Sequence, residues 1–180
     1  MSTKVIIGCD PGCNGALAVL RDSVLLEVYD LKDYYTFTGG FRSLDPILFN
    51  KLIGNVIPYE YEPEDVSVFC EESLNFGKDS SRATSSIFDS RGVLRAVIIP
   101  RGWKMTFVPP QAWKRRFGLL KTYKSASVEK ACELFPGHEN LFKRPKRGGG
   151  EMLLDGRAEA ALIALYGFHL LRERRQRNDR

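Results

Sequence analysis

Over the first thirty residues short apolar runs alternate with turn-forming residues. Val5-Ile6-Ile7-Gly8-Cys9 is one strand long and stops at Asp10-Pro11-Gly12. Ala16 to Leu20 and Val24 to Tyr29 flank Arg21-Asp22-Ser23, so the three runs predict an antiparallel meander. Past a loop containing Thr38-Gly39-Gly40 the period changes. Apolar residues at 44, 47, 48, 49, 52, 53, 56 and 57 have helical spacing, closed by Pro58. After a linker over 59–65, Val66-Ser67-Val68-Phe69-Cys70 is a β-rich run ending in Glu71-Glu72. A helix is predicted from about Ser80 to Ile98, with the small residues Ala83, Ser86, Gly92 and Ala96 suited to close packing. Met105-Thr106-Phe107-Val108 is the last strand, stopped by Pro109-Pro110. Helices over Gln111 to Phe117 and Ser125 to Leu134 follow, then a Gly/Lys/Arg-rich loop ending in Gly148-Gly149-Gly150, and a helix from Asp155 to about Glu173.

Three hairpin-linked strands followed by alternating helices and strands predict an α/β protein: a mixed five-stranded sheet flanked by helices, in the ribonuclease H-like arrangement. At 180 residues the chain is expected to form one domain, with a basic C-terminal tail over about 172–180. Its 43% apolar and 27% charged residues are those of a globular protein. No apolar run approaches the roughly 18 residues of a membrane span, and Met1-Ser2-Thr3-Lys4 does not open a signal peptide. The cysteines at 9, 13, 70 and 132 have no CxxC spacing, so reduced thiols are expected rather than a structural zinc. The expected location is therefore a reducing intracellular compartment, either a bacterial cytoplasm for a phage-encoded chain or an organelle.

Charge changes this picture, because it is unevenly spread. Residues 114–124, 143–147 and 172–180 contain fourteen of the 27 Lys and Arg but two of the 22 acids, so the remainder of the chain is weakly acidic. Three basic segments on an acidic body point to a polyanion, since clustered cations neutralise phosphates and release counterions. The candidate nucleic-acid-contacting residues are Lys114, Arg115, Arg116, Lys121, Lys124, Lys143, Arg144, Lys146 and Arg147.

Four acids stand where strands end or a packing helix begins. Asp10 ends the first strand, Glu71 ends the fourth, and Asp155 and Glu159 share one face of the last helix through their four-residue spacing. Each also has an ordinary use, as a turn former at Asp10 or a helix cap at Asp155. Yet Glu159 lies within Ala158-Glu159-Ala160-Ala161-Leu162, where an unpaired carboxylate is costly to bury. A bound cation removes that cost. Hard oxygen ligands around an open cleft suit Mg²⁺, with Mn²⁺ as a substitute, and two such ions about 3.5–4 Å apart stabilise the attacking and leaving oxygens of a phosphodiester.

These residues resemble the RuvC-like Holliday junction resolvases, and most of all their phage and chloroplast branch. The resemblance is carried by Gly8-Cys9-Asp10-Pro11-Gly12 with Gly15-Ala16-Leu17-Ala18, by Phe69-Cys70-Glu71-Glu72, and by Asp155-Gly156-Arg157-Ala158-Glu159 running on to Tyr166-Gly167. Val108-Pro109-Pro110-Gln111-Ala112-Trp113-Lys114, Phe117-Gly118-Leu119 and Lys124-Ser125-Ala126-Ser127 extend it. It implies a homodimeric, Mg²⁺-dependent endonuclease of DNA recombination and repair that nicks opposed strands of a four-way junction. Asp10, Glu71, Asp155 and Glu159 would be ligands of two ions, and Lys124 the catalytic cation near the reacting phosphate, with Lys114 a second. The bacterial members space their last two acids by three rather than four, and the loop from Lys143 to Gly150 and the Arg-rich tail also depart from their pattern.

The expected chemistry is metal-assisted hydrolysis leaving a 5′ phosphate and a 3′ hydroxyl, with no protein nucleophile and no part for His138 or His169. The loop beyond Glu71 adds Phe76, able to stack on an unpaired base, and Lys78. The helix from Ala83 to Ile98 is the candidate dimer interface. Alternatives are a non-catalytic branched-DNA-binding module of the same fold and a broader branched-DNA or RNase H-like nuclease. A kinase-type fold needs a second Asp-x-Gly hairpin that the sequence lacks, so no nucleotide cofactor is expected.

Overall fold

The computed structural model describes residues 4–38, 40–57, 61–72, 81–123 and 125–178. Strands β1 (Val5–Cys9), β2 (Ala16–Arg21) and β3 (Val24–Asp30) form the expected antiparallel meander. Strand β6 (Val66–Glu71) lies parallel to β1 on its other side, and β7 (Lys104–Val108) lies parallel to β6. The sheet is thus mixed and five-stranded, in the order β3-β2-β1-β6-β7.

Because side chains alternate along a strand, each strand feeds two cores. Val5, Ile7 and Cys9 of β1, with Val66, Val68 and Cys70 of β6, face helices α1 (Pro46–Val56) and α2 (Ser81–Ile98). Ile6 and Phe69 face the other way, into a core shared with α3 (Pro110–Arg116), α4 (Ala126–Leu134) and α6 (Asp155–Asn178). Within α6, Ala158 and every residue from Ala160 to Leu165 are buried, since the helix lies between the sheet and α4. Gly8 makes that contact possible. A Cβ there would come within 2.1 Å of the Ala160 carbonyl oxygen and 2.4 Å of the Ala164 nitrogen, so α6 rests directly on the β1 backbone.

Four expectations need correction. The residues on either side of the expected loop pair as an antiparallel hairpin, β4 (Tyr35–Thr38) with β5 (Phe41–Leu44). This ribbon stands apart from the main sheet and buries Leu44, too little apolar surface to show as a pattern. Leu44 therefore ends a strand, and α1 starts at Pro46, where the Asp45 side chain accepts from the Ile47 and Leu48 nitrogens. The Gly/Lys/Arg-rich loop likewise contains a hairpin, β8 (Lys143–Pro145) with β9 (Glu151–Leu153), whose turn uses Gly148, Gly149 and Gly150 at φ between 78° and 100°. Helix α6 runs on to Asn178, so most of the basic tail is helical, in keeping with the helix-favouring Arg, Glu and Gln that compose it.

Candidate active site

Strand register places the first two acids. Cys9 pairs with Cys70 on adjoining parallel strands, so Asp10 and Glu71, one residue further along, stand side by side. Both belong to the alternation of Ile6 and Phe69 and thus face α6. Their backbones are held firmly. The Asp10 nitrogen donates to the Ala16 oxygen at 3.0 Å, and Glu72, beyond Glu71, donates to the Val108 oxygen at 2.8 Å. The Tyr35 hydroxyl, from the β4–β5 hairpin, donates to the Pro11 oxygen at 2.7 Å and ties down the turn after Asp10.

Helix α6 brings the other two. A Cβ on Gly156 would meet the Asn14 oxygen at 2.3 Å, so the first turn of the helix presses against the turn after β1. Arg157 anchors that turn from outside, its Nε and second guanidinium nitrogen donating to the two Asp30 carboxylate oxygens at 2.6 and 2.9 Å. Asp155 and Glu159 are thereby fixed on the side that faces Asp10.

The electrostatics confirm that all four acids share one neighbourhood. The Asp10 carboxyl is pushed up to about 7, first by burial and then by the charges of Glu71 and Glu159, with Asp155 adding to the rise and the Gly12 N–H opposing it. Glu159 is also raised, chiefly by burial; Lys114 works against the rise, and Glu71 and Asp155 reinforce it. The protein supplies partial compensation. Glu71 Oε2 accepts from the Trp113 indole at 2.8 Å, Lys114 Nζ lies 3.5 Å from Glu159 Oε1, and Asp10 Oδ1 accepts from the Gly12 nitrogen at 3.3 Å. With the side chains so turned, no group of three or more His, Cys, Asp and Glu among the described residues is arranged to hold a metal ion. The donor chemistry nevertheless fits a hard divalent cation: four carboxylates, two of them held above their ordinary range by burial and then by their acidic neighbours. Beside them a cleft is lined by Lys114, Leu119, Thr122, Tyr123, Ser127, Asp155 and Glu159.

The basic residues are less concentrated. Arg115, Lys121, Arg144, Lys146 and Arg147 are exposed, whereas Lys114 and Lys143 are half-buried and Lys143 lies 3.6 Å from Glu151. Arg116 is exposed but engaged with α6, its guanidinium 2.8 Å from Glu173 and its Nε donating to His169 Nδ1 at 3.0 Å. Phe76, Lys78 and Lys124 lie outside the described residues. The pattern of the sequence did not single out Trp113, Tyr35 or the Arg157–Asp30 pair. The one available signal was a tryptophan inside a basic segment just after Pro109-Pro110.

No family model matches the chain, and no curated protein matches it. Among solved structures it is similar to Thermus thermophilus RuvC, both free and in complex with a Holliday junction substrate. Each comparison covers 94% of this chain and 96% of the other at a TM-score of 0.60 and 16% sequence identity. A likeness of that extent shows the fold, which is ribonuclease H-like.

Proposed function

We propose that the chain is a structure-selective DNA endonuclease that resolves four-way junctions by paired, divalent-cation-dependent nicks in opposed strands. What carries the reading is the convergence of Asp10, Glu71, Asp155 and Glu159 from three elements on one side of the sheet, where burial and then the charges of the neighbouring acids raise Asp10 and Glu159. A hydrolase that needed only a general acid and base has no use for four. The shared fold with RuvC, solved with a Holliday junction substrate, supports the same reading.

The four carboxylates would hold two Mg²⁺ ions, for which Mn²⁺ can substitute. Bound there, they would supply Lewis-acid activation of a water and of the departing 3′ oxygen. The chain's own residues do the rest. Asp10 and Glu71, fixed by the β1–β6 register, set the floor of the site, while Asp155 and Glu159 close it from α6. Lys114 pairs with Glu159 and lines the cleft, where it would serve as a cationic partner for the reacting phosphate, a role in which Lys124 would join it. Exposed Arg115, Lys121, Arg144, Lys146 and Arg147 contact phosphates further out; Lys143 and Arg116 join them by exchanging their protein partners. Phe76 and Lys78 would act at the crossover, Phe76 by stacking on an unpaired base. The products are a 5′ phosphate and a 3′ hydroxyl.

We read the 180 residues as one nuclease domain that works as a homodimer, since paired nicks need two sites related by a two-fold axis. Helix α2 offers the surface: Ser85, Phe88, Gly92 and Ala96 are exposed at helical spacing. The test compares a mobile four-way junction, a flap, an RNA–DNA hybrid and plain duplex, with Mg²⁺ and with chelator. Symmetric nicks confined to the junction and dependent on Mg²⁺ are expected. Cleavage of the hybrid or flap at equal rates would make this a broader nuclease, and junction binding without cleavage would make it a binding module.

A further inference from the structure

Trp113 is fully enclosed, and its indole nitrogen donates to Glu71 Oε2 at 2.8 Å in a bond buried from water. The two residues are brought together by the sheet. Glu71 pairs with Val108 of β7, Pro109 and Pro110 turn the chain into α3, and Trp113 follows on the first turns of that helix. Its neighbour Lys114 has Nζ 4.9 Å from the centre of the Trp113 ring and 3.5 Å from Glu159 Oε1. Consecutive residues of α3 therefore each engage one acid, on β6 and on α6, but by different chemistry. The ammonium of Lys114 neutralises its carboxylate and competes with any cation. An indole N–H can only donate and carries no charge, so it orients Glu71 without bringing a positive charge to it.

We propose that Trp113 is a positioning residue: by holding Oε2 it fixes the orientation of the Glu71 carboxylate as a ligand for a divalent cation, and it thereby sets the cation affinity of the acidic site. This rests on the nuclease reading in that Glu71 is taken as a metal ligand. A rigid, buried donor removes the freedom of the glutamate before the cation arrives, which is how hydrogen bonds behind ligating carboxylates commonly act.

The test replaces Trp113 in the full chain by Phe, and by β-(3-benzothienyl)alanine, which keeps the ring shape and puts sulfur where the N–H was. Mg²⁺ and Mn²⁺ binding is measured by calorimetry, with Glu71→Gln as reference. Both replacements are expected to weaken binding about 10–100-fold, and cleavage is expected to return to within a few-fold of wild type at saturating Mn²⁺, so that the loss falls on the metal KM. The indole resonance of Trp113 in ¹H–¹⁵N spectra is expected to move when Mg²⁺ is added to the wild type. Should Trp113→Phe unfold, the sulfur analogue alone decides. Glu71-dependent cation binding that the analogue leaves within two-fold of wild type would overturn this inference and leave the nuclease reading standing. Binding that does not depend on Glu71 would overturn both.

Discussion

The two faces of the central sheet are made by the same strands and do opposite things with burial. Toward α1 and α2 the sheet presents Val5, Ile7, Cys9, Leu17, Val19, Val66, Val68 and Cys70, all buried and without a charge. Even the Cys9 thiol there is quiet: hydrogen-bonded to Cys70 and buried, it is pushed well above its ordinary pKa and is a poor nucleophile. Toward α6 the same strands present Ile6, Gly8, Ala16, Ala18, Leu20 and Phe69, and then, at their ends, Asp10 and Glu71. The small residues let a helix lie on the backbone, and that close approach brings Asp155 and Glu159 over the strand ends. One face therefore supplies stability, and the other gives some of it up to gather negative charge.

The largest expected effect separates the faces by activity. Asp10→Asn and Glu71→Gln should each lower junction cleavage by at least about a thousandfold, in the range of losing a main electrostatic element of a site, while junction binding stays near wild type because basic side chains carry it. Cleavage within ten-fold of wild type would remove these acids from the chemistry.

Steric substitution comes next. Gly8→Ala should destabilise the fold by about 3 kcal/mol or more, because the new methyl meets the Ala160 backbone and cannot push aside a flexible side chain. Ile7→Val, one residue away on the apolar face, should cost only about 0.5–1.5 kcal/mol. Equal losses in denaturant melts would mean that α6 does not rest on β1 as closely as described.

A smaller effect concerns pH. With Asp10 raised to about 7 in the fold and near 4 when unfolded, the folded state binds the extra proton between those values. The Asp10 contribution to stability in chelator should therefore be fully present below about pH 4 and be lost as pH rises through about 7, by about 1–2 kcal/mol after discounting for the partial exposure of Asp10. Asp10→Asn should flatten that part of the profile, and Mg²⁺ should restore stability at pH 7.5. Thermal melts of wild type and Asp10→Asn across the range, with and without Mg²⁺, decide it; a difference between the two that does not change between about pH 4 and 7 would contradict the electrostatic picture of this face.

The smallest effect lies outside both faces. Replacing exposed Arg144 and Arg147 by Ala should reduce the slope of log K against log salt for junction binding by about 1.8, at roughly 0.9 per phosphate contact, with cleavage at saturating DNA little changed. An unaltered slope would make the β8–β9 hairpin a solubilising feature.

Much of this was open to reading from residue order. The meander, the strand ending in Glu71 and the helix bearing Asp155 and Glu159 follow from local periodicity, and periodicity survives folding because each strand or helix must bury one side. The four acids could be picked out for the same reason, Asp10, Glu71 and Asp155 as charges at the margin of an apolar run and Glu159 as a charge inside one. The β4–β5 and β8–β9 hairpins escaped that reading because short ribbons bury almost nothing. Trp113 as the partner of Glu71, Arg157 as the partner of Asp30 and Tyr35 as the tie to Pro11 lie 42, 127 and 24 residues from their partners. No local pattern encodes such pairs. They exist because strand register and the bare backbone at Gly8 bring distant segments into contact, and distances between side chains are settled only when those segments pack.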